Sequence, residues 1–276
     1  SRACRLALSQ TNQGETVMNR RMMLTGAGGA LALAALPGML RAQTVDELIR
    51  KKKIMVGMLV DIPPFGSMGP DQKPIGFDAD VAALMAKYMG VELEIVPVTG
   101  PNRIPYLLTN RVDVLIATFG ITPERAKQVW FSIPYSVLEV WVTGAKKHNV
   151  TSFADLKGLR VAVARASTQD QVLTREAQGA QMLRFDDDAT AGQALLSGRA
   201  DMLGCNHLQA LQLIKDNPAL ELERKLVLSR QFQGITLRRG QLELLQWINT
   251  FLYFVKNNGE LNDINKKWFG EDLPPM

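Results

Sequence analysis

From Lys53 onward, short apolar runs of strand type alternate with amphipathic stretches of helical period, and this alternation constrains the fold more than any other feature. "KIMVGMLV" (53–60) predicts a strand, "FDADVAALMAKYMG" a helix closed by Gly90, and "VELEIVPV" the next strand. A helix over "NRIPYLLTN" then leads into a strand over "VDVLIAT". The order β-α-β-α-β needs crossover connections, and so a parallel sheet with helices on its faces. After Tyr135 the run "VLEVWVTGAKK" is extended, and the same grammar restarts. "LRVAVAR", "QMLRF" and "ADMLG" predict strands, while "TQDQVLTREAQ", "ATAGQALLSG" and His207 to Asp216 predict helices.

A chain of 276 residues exceeds the usual size of a single core, so two α/β lobes are expected. The tail, from "QGITLRR" through "LELLQWINTFLYFVKNNGELNDINKKWFG", predicts a strand and then helices. It is too short for a domain of its own and is expected to return to the first lobe. The expected boundaries are 43–137 plus 232–276 for lobe 1 and 138–231 for lobe 2, with chain crossings near 136–140 and 229–234. In open α/β sheets ligands bind at the carboxyl ends of strands, so two facing lobes make a cleft that a hinge can close.

The upstream segment reads differently. Asn19-Arg20-Arg21 followed by "MMLTGAGGALALAALPGML" has the charged start and short apolar middle of a cleavable export signal of twin-arginine type, though without a Ser before the pair. Cleavage is expected after about Ala42, with Met18 as the start. The formal charge of +5 sits mostly here: residues 1–42 carry five arginines and one acid, which leaves about +1 for the rest. A nearly neutral body removes the main support for nucleic-acid binding. Cys4 precedes the signal and Cys205 is alone in the body, so no internal disulfide is expected in the mature chain. No later stretch is long and apolar enough to span a membrane. The expected product is a soluble periplasmic protein.

Thr118-Phe119-Gly120 lies where the strand "VDVLIA" stops, and Thr122-Pro123 opens a short helix, with Thr122 as cap and Pro123 in its first position. The Thr118 hydroxyl, the bare backbone of Gly120 and the helix amides point to where an anion would sit. Arg125 offers a planar two-pronged donor suited to a carboxylate. The alternative is a surface arginine paired with Glu124 or Glu139.

Together, "GFDADVAALMAKYMG", "NRIPYLLTNRVDVLIAT", "TPERAKQVWFSIPY", "LKGLRVAVARAST", "LLSGRADML" and "GELNDINKKWFG" resemble the periplasmic solute-binding proteins of polar amino-acid ABC transporters, the family 3 extracellular solute-binding proteins. The resemblance runs from about residue 44 to 276. It implies a two-lobed flytrap fold, each lobe a parallel-rich sheet flanked by helices, joined by a two-segment hinge. It also implies a monomer that captures an amino acid, polar or acidic ligands favoured, and delivers it to an inner-membrane permease with no cofactor, metal or chemistry.

By position, Arg125 matches the arginine that pairs with the ligand α-carboxylate, and Thr118 and Gly120 match its hydroxyl and amide helpers. The family more often has Ser or Thr where Gly120 stands. Ser167 and Thr168 match the second-lobe turn that closes on the same carboxylate, and Ala166 replaces a usual Gly there, so its backbone must avoid positive φ or accept strain. Asn206 occupies the place of an Asp that neutralises the ligand ammonium; an amide accepts a hydrogen bond but supplies no negative charge. Asp188 is the candidate substitute, against a role as a solvated helix cap. Phe65 matches an apolar wall residue, while Leu59 and Ile62 replace polar or aromatic positions. Asp61 either turns into the cleft or stabilises the turn before Ile62-Pro63-Pro64. Arg103 matches an arginine that grips the side-chain carboxylate in acidic-amino-acid binders, against a helix-start arginine lying across the surface.

Signals for catalysis are thin. His148 sits in a polar loop and His207 opens a helix beside Asn206, as a ligand contact or as a solvated residue. Ser167-Thr168 lacks an evident activating base, and Asp186-Asp187-Asp188 cannot converge on one ion without further ligands. Trp130, Trp141, Trp247 and Trp268 fit packing better than ligand stacking. Two alternatives to an amino-acid receptor remain: the same receptor binding a small carboxylate without an ammonium, and a periplasmic dehydratase on this fold with Glu139 or Asp188 as general acid.

Overall fold

The computed structural model describes residues 44–276; the export-signal reading and Cys4 lie outside them. In chain order the elements are α1 (Val45–Lys51), β1 (Lys53–Leu59), β2 (Asp61–Ile62), β3 (Gly66–Met68), β4 (Pro74–Ile75), α2 (Phe77–Met89), β5 (Glu92–Val98), α3 (Arg103–Leu108), β6 (Val114–Leu115), α4 (Pro123–Ala126) and β7 (Val129–Ala145). The chain continues with β8 (Arg160–Ala164), α5 (Thr168–Glu176), β9 (Gln181–Phe185), α6 (Asp188–Leu196), β10 (Met202–Asn206), α7 (His207–Asp216), β11 (Leu222–Arg238), α8 (Leu242–Asn257) and α9 (Glu260–Phe269).

β1 pairs in parallel with β5 on one side and β6 on the other. A strand covered in this way has little face to show water, which is why six of its seven residues are apolar or glycine. The helix over 77–89 follows from its small and apolar buried face and from Gly90, which takes φ 71° as the left-handed cap and donates its N–H to Ala86 and Lys87.

In sheet order, β5, β1 and β6 meet β11, which pairs with β7, followed by β10, β8 and β9. β7 and β11, each 17 residues long, run antiparallel from Leu222↔Ala145 to Arg238↔Val129 and carry one lobe's sheet into the other. The ladder slips at Gln233/Gly234 and Gly234/Thr236, where Pro134 faces Gly234. A proline without a ladder donor is tolerated at such a slip.

Three expectations about strands are revised. β6 stops at Leu115 instead of running through Thr118, because the chain leaves the strand direction where Thr118 adopts φ 49°. β7 starts at Val129, before Tyr135. β11 begins at Leu222, well ahead of "QGITLRR"; its first half is charged and half-exposed, so the apolar signal there is weak.

One core spans β1, α2, β6, the start of β7, the end of β11 and α8, and it includes Leu244, Ile248 and Leu252 of the tail. On the other side of the molecule consecutive residues divide between two clusters. Trp141, Ala162, Leu203 and Cys205 go to one, and Val142, Val161, Val163 and Met202 to the other. The alternation places a core on each face of the β10–β8–β9 sheet. The fold is thus α/β, in two lobes joined by the β7–β11 pair.

Candidate ligand-binding cleft

The cleft between the lobes is lined from one side by Leu59, Asp61, Ile62, Arg103, Thr118 and Arg125. The facing side contributes Ser167, Thr168, Gln169, Asp188 and Asn206, and Gln231 lies at the base on β11. Arg125 is placed by α4. Thr122 accepts the Arg125 N–H through its hydroxyl at 3.2 Å, Pro123 opens the helix, and the side chain turns back over the Phe119 ring with its guanidinium carbon 4.2 Å from the centroid. It donates to Gly120 O at 2.8 Å, and across the cleft to Ala166 O at 2.8 Å and Thr168 Oγ1 at 3.3 Å. The alternative of pairing with Glu124 or Glu139 is not what the structure places there: Glu124 pairs with Lys127 at 2.6 Å, and the Glu139 carboxylate accepts from the Trp141 indole.

Arg103, only 4% exposed, lies in the cleft and not across the surface. It donates to Ala117 O at 3.1 Å, and its guanidinium carbon is 4.4 Å from the same Phe119 centroid. Among the described residues neither Arg103 nor Arg125 forms an ion pair within 4.0 Å. Burial lowers the pKa of Arg103 to about 10, opposed by Asp188 and Asp61. Burial, and then the proximity of Arg103, hold Arg125 well below the usual guanidinium value. Two desolvated cations in one cleft favour an incoming anion.

The acids nearby behave differently from expectation. The helix-cap role goes to Asp187, which accepts the Thr190 N–H at 2.6 Å, while Asp188 is buried in the cleft and receives the Gln169 amide at 3.3 Å. Burial raises the Asp188 pKa to about 7, and Asp61 pushes in the same direction. Asp61 faces the cleft too, instead of bracing its own turn: its Oδ2 accepts the Asp188 N–H from the opposite lobe at 2.8 Å. Desolvation raises its pKa, with that bond acting against the rise. Asp186 pairs with Arg165, so the three adjacent aspartates have three separate partners.

Other residues also depart from expectation. The Thr118 hydroxyl and N–H both donate to Asp78 Oδ2, at 2.9 and 2.8 Å, so this hydroxyl is turned inward although Thr118 lines the cleft. Phe65 lines a separate groove behind the hinge, because its ring packs between Phe77 and Phe269 at 5.9 and 4.9 Å. Glu139 and His207 line that same groove and not the cleft. His207 Nδ1 lies 3.2 Å from the Glu139 N, and its ring packs on Trp141. Ser167 caps α5 by accepting from Asp170 N at 3.1 Å, and Asn206 caps α7 by accepting from Gln209 N at 2.9 Å. Ala166 takes φ 60°, so strain is accepted at this position where Gly is usual.

Residues in and behind the cleft also went unread in the sequence. Asp78 is wholly buried and also receives the Tyr135 hydroxyl at 2.8 Å; burial raises its pKa to about 6, against those hydrogen bonds. An acid on the apolar face of the helix over 77–89 was the available signal. Gln169, next to the Ser167-Thr168 turn, supports Asp188, and Gln231 fills the space beside Gly120, to which only the fold brings it.

Residues 54–271 match the family described as bacterial extracellular solute-binding proteins, family 3. The chain belongs to this family. Its relatives include the L-cystine-binding protein TcyJ of Escherichia coli (strain K12), 33% identical over 89% of this chain and 95% of the relative. Another is the ABC transporter glutamine-binding protein GlnH of Bacillus subtilis (strain 168), 33% identical over 84% of this chain and 86% of the relative. Among solved structures, a mutant of the T. maritima protein ArgBP superposes with TM-score 0.77 at 34% identity, over 83% of this chain and all of that one. As a member of this family, the chain has the two-lobed architecture of extracellular receptors, and its cleft lies where the lobes face each other.

Proposed function

We propose that this protein is a periplasmic receptor that captures an amino acid between its lobes and delivers it to the permease of an ABC transporter, without chemistry of its own. The observation that carries this reading is the pair of buried guanidiniums, Arg125 and Arg103, in one cleft without an ion-pair partner among the described residues. Arg125 takes the α-carboxylate, aided by Thr168, the amides at the start of α5, and the Gly120 backbone. Arg103, Asp61 and Asp188 form a second polar pole with both signs of charge, which suits a polar or charged side chain. Ile62 supplies the apolar wall. Ser167 and Asn206 hold the helix starts that face the ligand. We place the lobes at 43–137 plus 232–276 and at 138–231, and the protein acts as a monomer. The bridges from Arg125 to Ala166 and from Asp61 to Asp188 leave a space of only about 40 Å³ between them, room for about three water molecules, so a ligand enters when the lobes part.

A second reading, a small carboxylate without an ammonium, is favoured by the amide of Asn206 in the cleft. A thermal-shift screen of the ligand-stripped protein against L-cystine, L-arginine, L-glutamine and L-glutamate, and against their deaminated acids, tests both. A ligand at a hundredfold excess over its Kd stabilises by about 2.7 kcal/mol, a readily visible shift. A shift with an amino acid that is lost in Arg125→Ala supports the first reading. Shifts only with deaminated acids support the second, and no shift with any of them rejects both.

A further inference from the structure

The lobes meet at polar points, and one of these joins two acids. Asp61, on β2 of the first lobe, accepts the Asp188 N–H at the start of α6 in the second, with 2.8 Å between Oδ2 and N. The Arg125 bridges are of another kind, because they end on neutral groups of the second lobe, Ala166 O and Thr168 Oγ1. At the Asp61–Asp188 bridge the donor belongs to a residue whose own carboxyl is buried in the same place; Asp188 is 8% exposed. Amides surround it: Gln169 Nε2 donates to its Oδ1 at 3.3 Å, and Gln209 Nε2 donates to its backbone O at 2.8 Å. Neither removes a charge.

The charged groups around the pair do not cancel it. Arg103 on α3 attracts both acids, yet among the described residues it lies within 4.0 Å of no carboxylate oxygen. Asp187, in the same turn as Asp188, adds negative charge. Asp186 is taken up by Arg165 at 3.4 Å, and Asp170 on α5 by Arg184 on β9 at 2.9 Å. Cys205 on β10 is buried, which pushes its thiol well up and keeps it neutral. Arg125 on α4 acts on Arg103. Closing the lobes thus carries Asp61 up to a second acid and seals Asp188 from water. Burial first, and Asp61 next, raise Asp188 to about 7, and burial raises Asp61 as well. When the lobes part, the two acids separate and water reaches both, so they fall back toward ordinary values near about 4.

We propose that the Asp61–Asp188 contact is a pH-sensitive latch on lobe closure: the closed form takes a proton from solvent onto this pair, chiefly onto Asp188, so acid favours the closed receptor and a rise to neutrality lets it part. The sign follows from linkage, since the closed form binds a proton that the parted form has released. The closing equilibrium weakens as pH rises from about 4 to about 7, by up to about tenfold per pH unit for one proton. The latch rests on the closed geometry and not on which ligand the cleft takes.

Small-angle scattering of the ligand-stripped protein from pH 4.5 to 8 tests it. Gly100 supplies the parted reference: a Cβ there would stand 2.7 Å from Arg165 O on the facing lobe, so Gly100→Val is expected to hold the lobes apart at every pH. The wild-type radius of gyration should rise with pH toward that of Gly100→Val. Asp188→Asn keeps the backbone donor and Asp61→Asn keeps an acceptor, so both variants preserve the bridge and remove only charge. Asp188→Asn should stay compact across the range, and Asp61→Asn should show a smaller swing than wild type. A wild-type radius constant from pH 4.5 to 8, or a swing of equal size in wild type and both variants, overturns the latch and leaves the receptor reading standing.

Discussion

At the scale of single residues the cleft is built from groups that burial disfavours. Arg125 is 4% exposed and its charge is met by carbonyls and a hydroxyl, which do not neutralise it. Replacing a desolvated ion with an apolar side chain of similar shape is often neutral or stabilising. Arg125→Met is therefore expected to raise the urea midpoint of the ligand-free protein while weakening amino-acid binding about a hundredfold, because charge-assisted hydrogen bonds to the carboxylate are lost. Denaturation and calorimetry on the same sample check both signs. Asp188 gives a pH prediction. Its folded pKa is raised to about 7 from an ordinary value near 4, so between those values the folded protein holds a proton that the unfolded chain has released. Its contribution is fully present below about pH 4 and is lost as pH rises through about 7. Asp188→Asn should flatten that fall in stability, measured as the wild-type-minus-variant difference in urea midpoint across the window. The chemistry of Arg125 was legible in the sequence because Thr122 and Pro123 announce the turn that aims it. The directions of Asp61, Asp188 and the Thr118 hydroxyl were not, because each is fixed by a partner distant in sequence: Asp188 N, the Gln169 amide, and Asp78.

Among the elements, helix starts organise the far wall of the cleft. Ser167 caps α5 and Asn206 caps α7, and each faces the cleft. Ser167→Ala should cost about 1 kcal/mol in equilibrium unfolding. Asn206→Asp preserves the cap acceptor, and its stability at neutral pH should stay within about 0.5 kcal/mol of wild type if the new charge is solvated when the lobes part. Between β8 and α5 lies Ala166, at φ 60°. Ala166→Gly removes left-handed strain of about 1 kcal/mol but loosens the unfolded chain, so a net gain of at most about 1 kcal/mol is expected in the same assay. Elements with a single face against the core were legible, as with the helix over 77–89 and its Gly90 cap. The first half of β11 was not. Its residues are charged and half-exposed, and it is a strand because β7 pairs with it along its length. Tertiary pairing, and not local propensity, decides such a segment.

At the scale of the whole molecule, two antiparallel strands are the structural link between the lobes, and their ladder slips at Gly234. Adding a bound amino acid to ligand-stripped protein should reduce the radius of gyration measured by small-angle scattering, and Arg125→Met should abolish the reduction. The β7–β11 pair also orders events during synthesis. Val137 and Phe232 are partners in the ladder, so the chain leaves one lobe and returns to it at nearly the same point. The two clusters on the far side draw their buried residues from between 141 and 222, whereas the other core waits for Ile235, Leu237 and the later α8 residues. During synthesis, therefore, the clusters between 141 and 222 can already be packed while the strands made first have waited more than ninety residues for β11 and α8 to close their core.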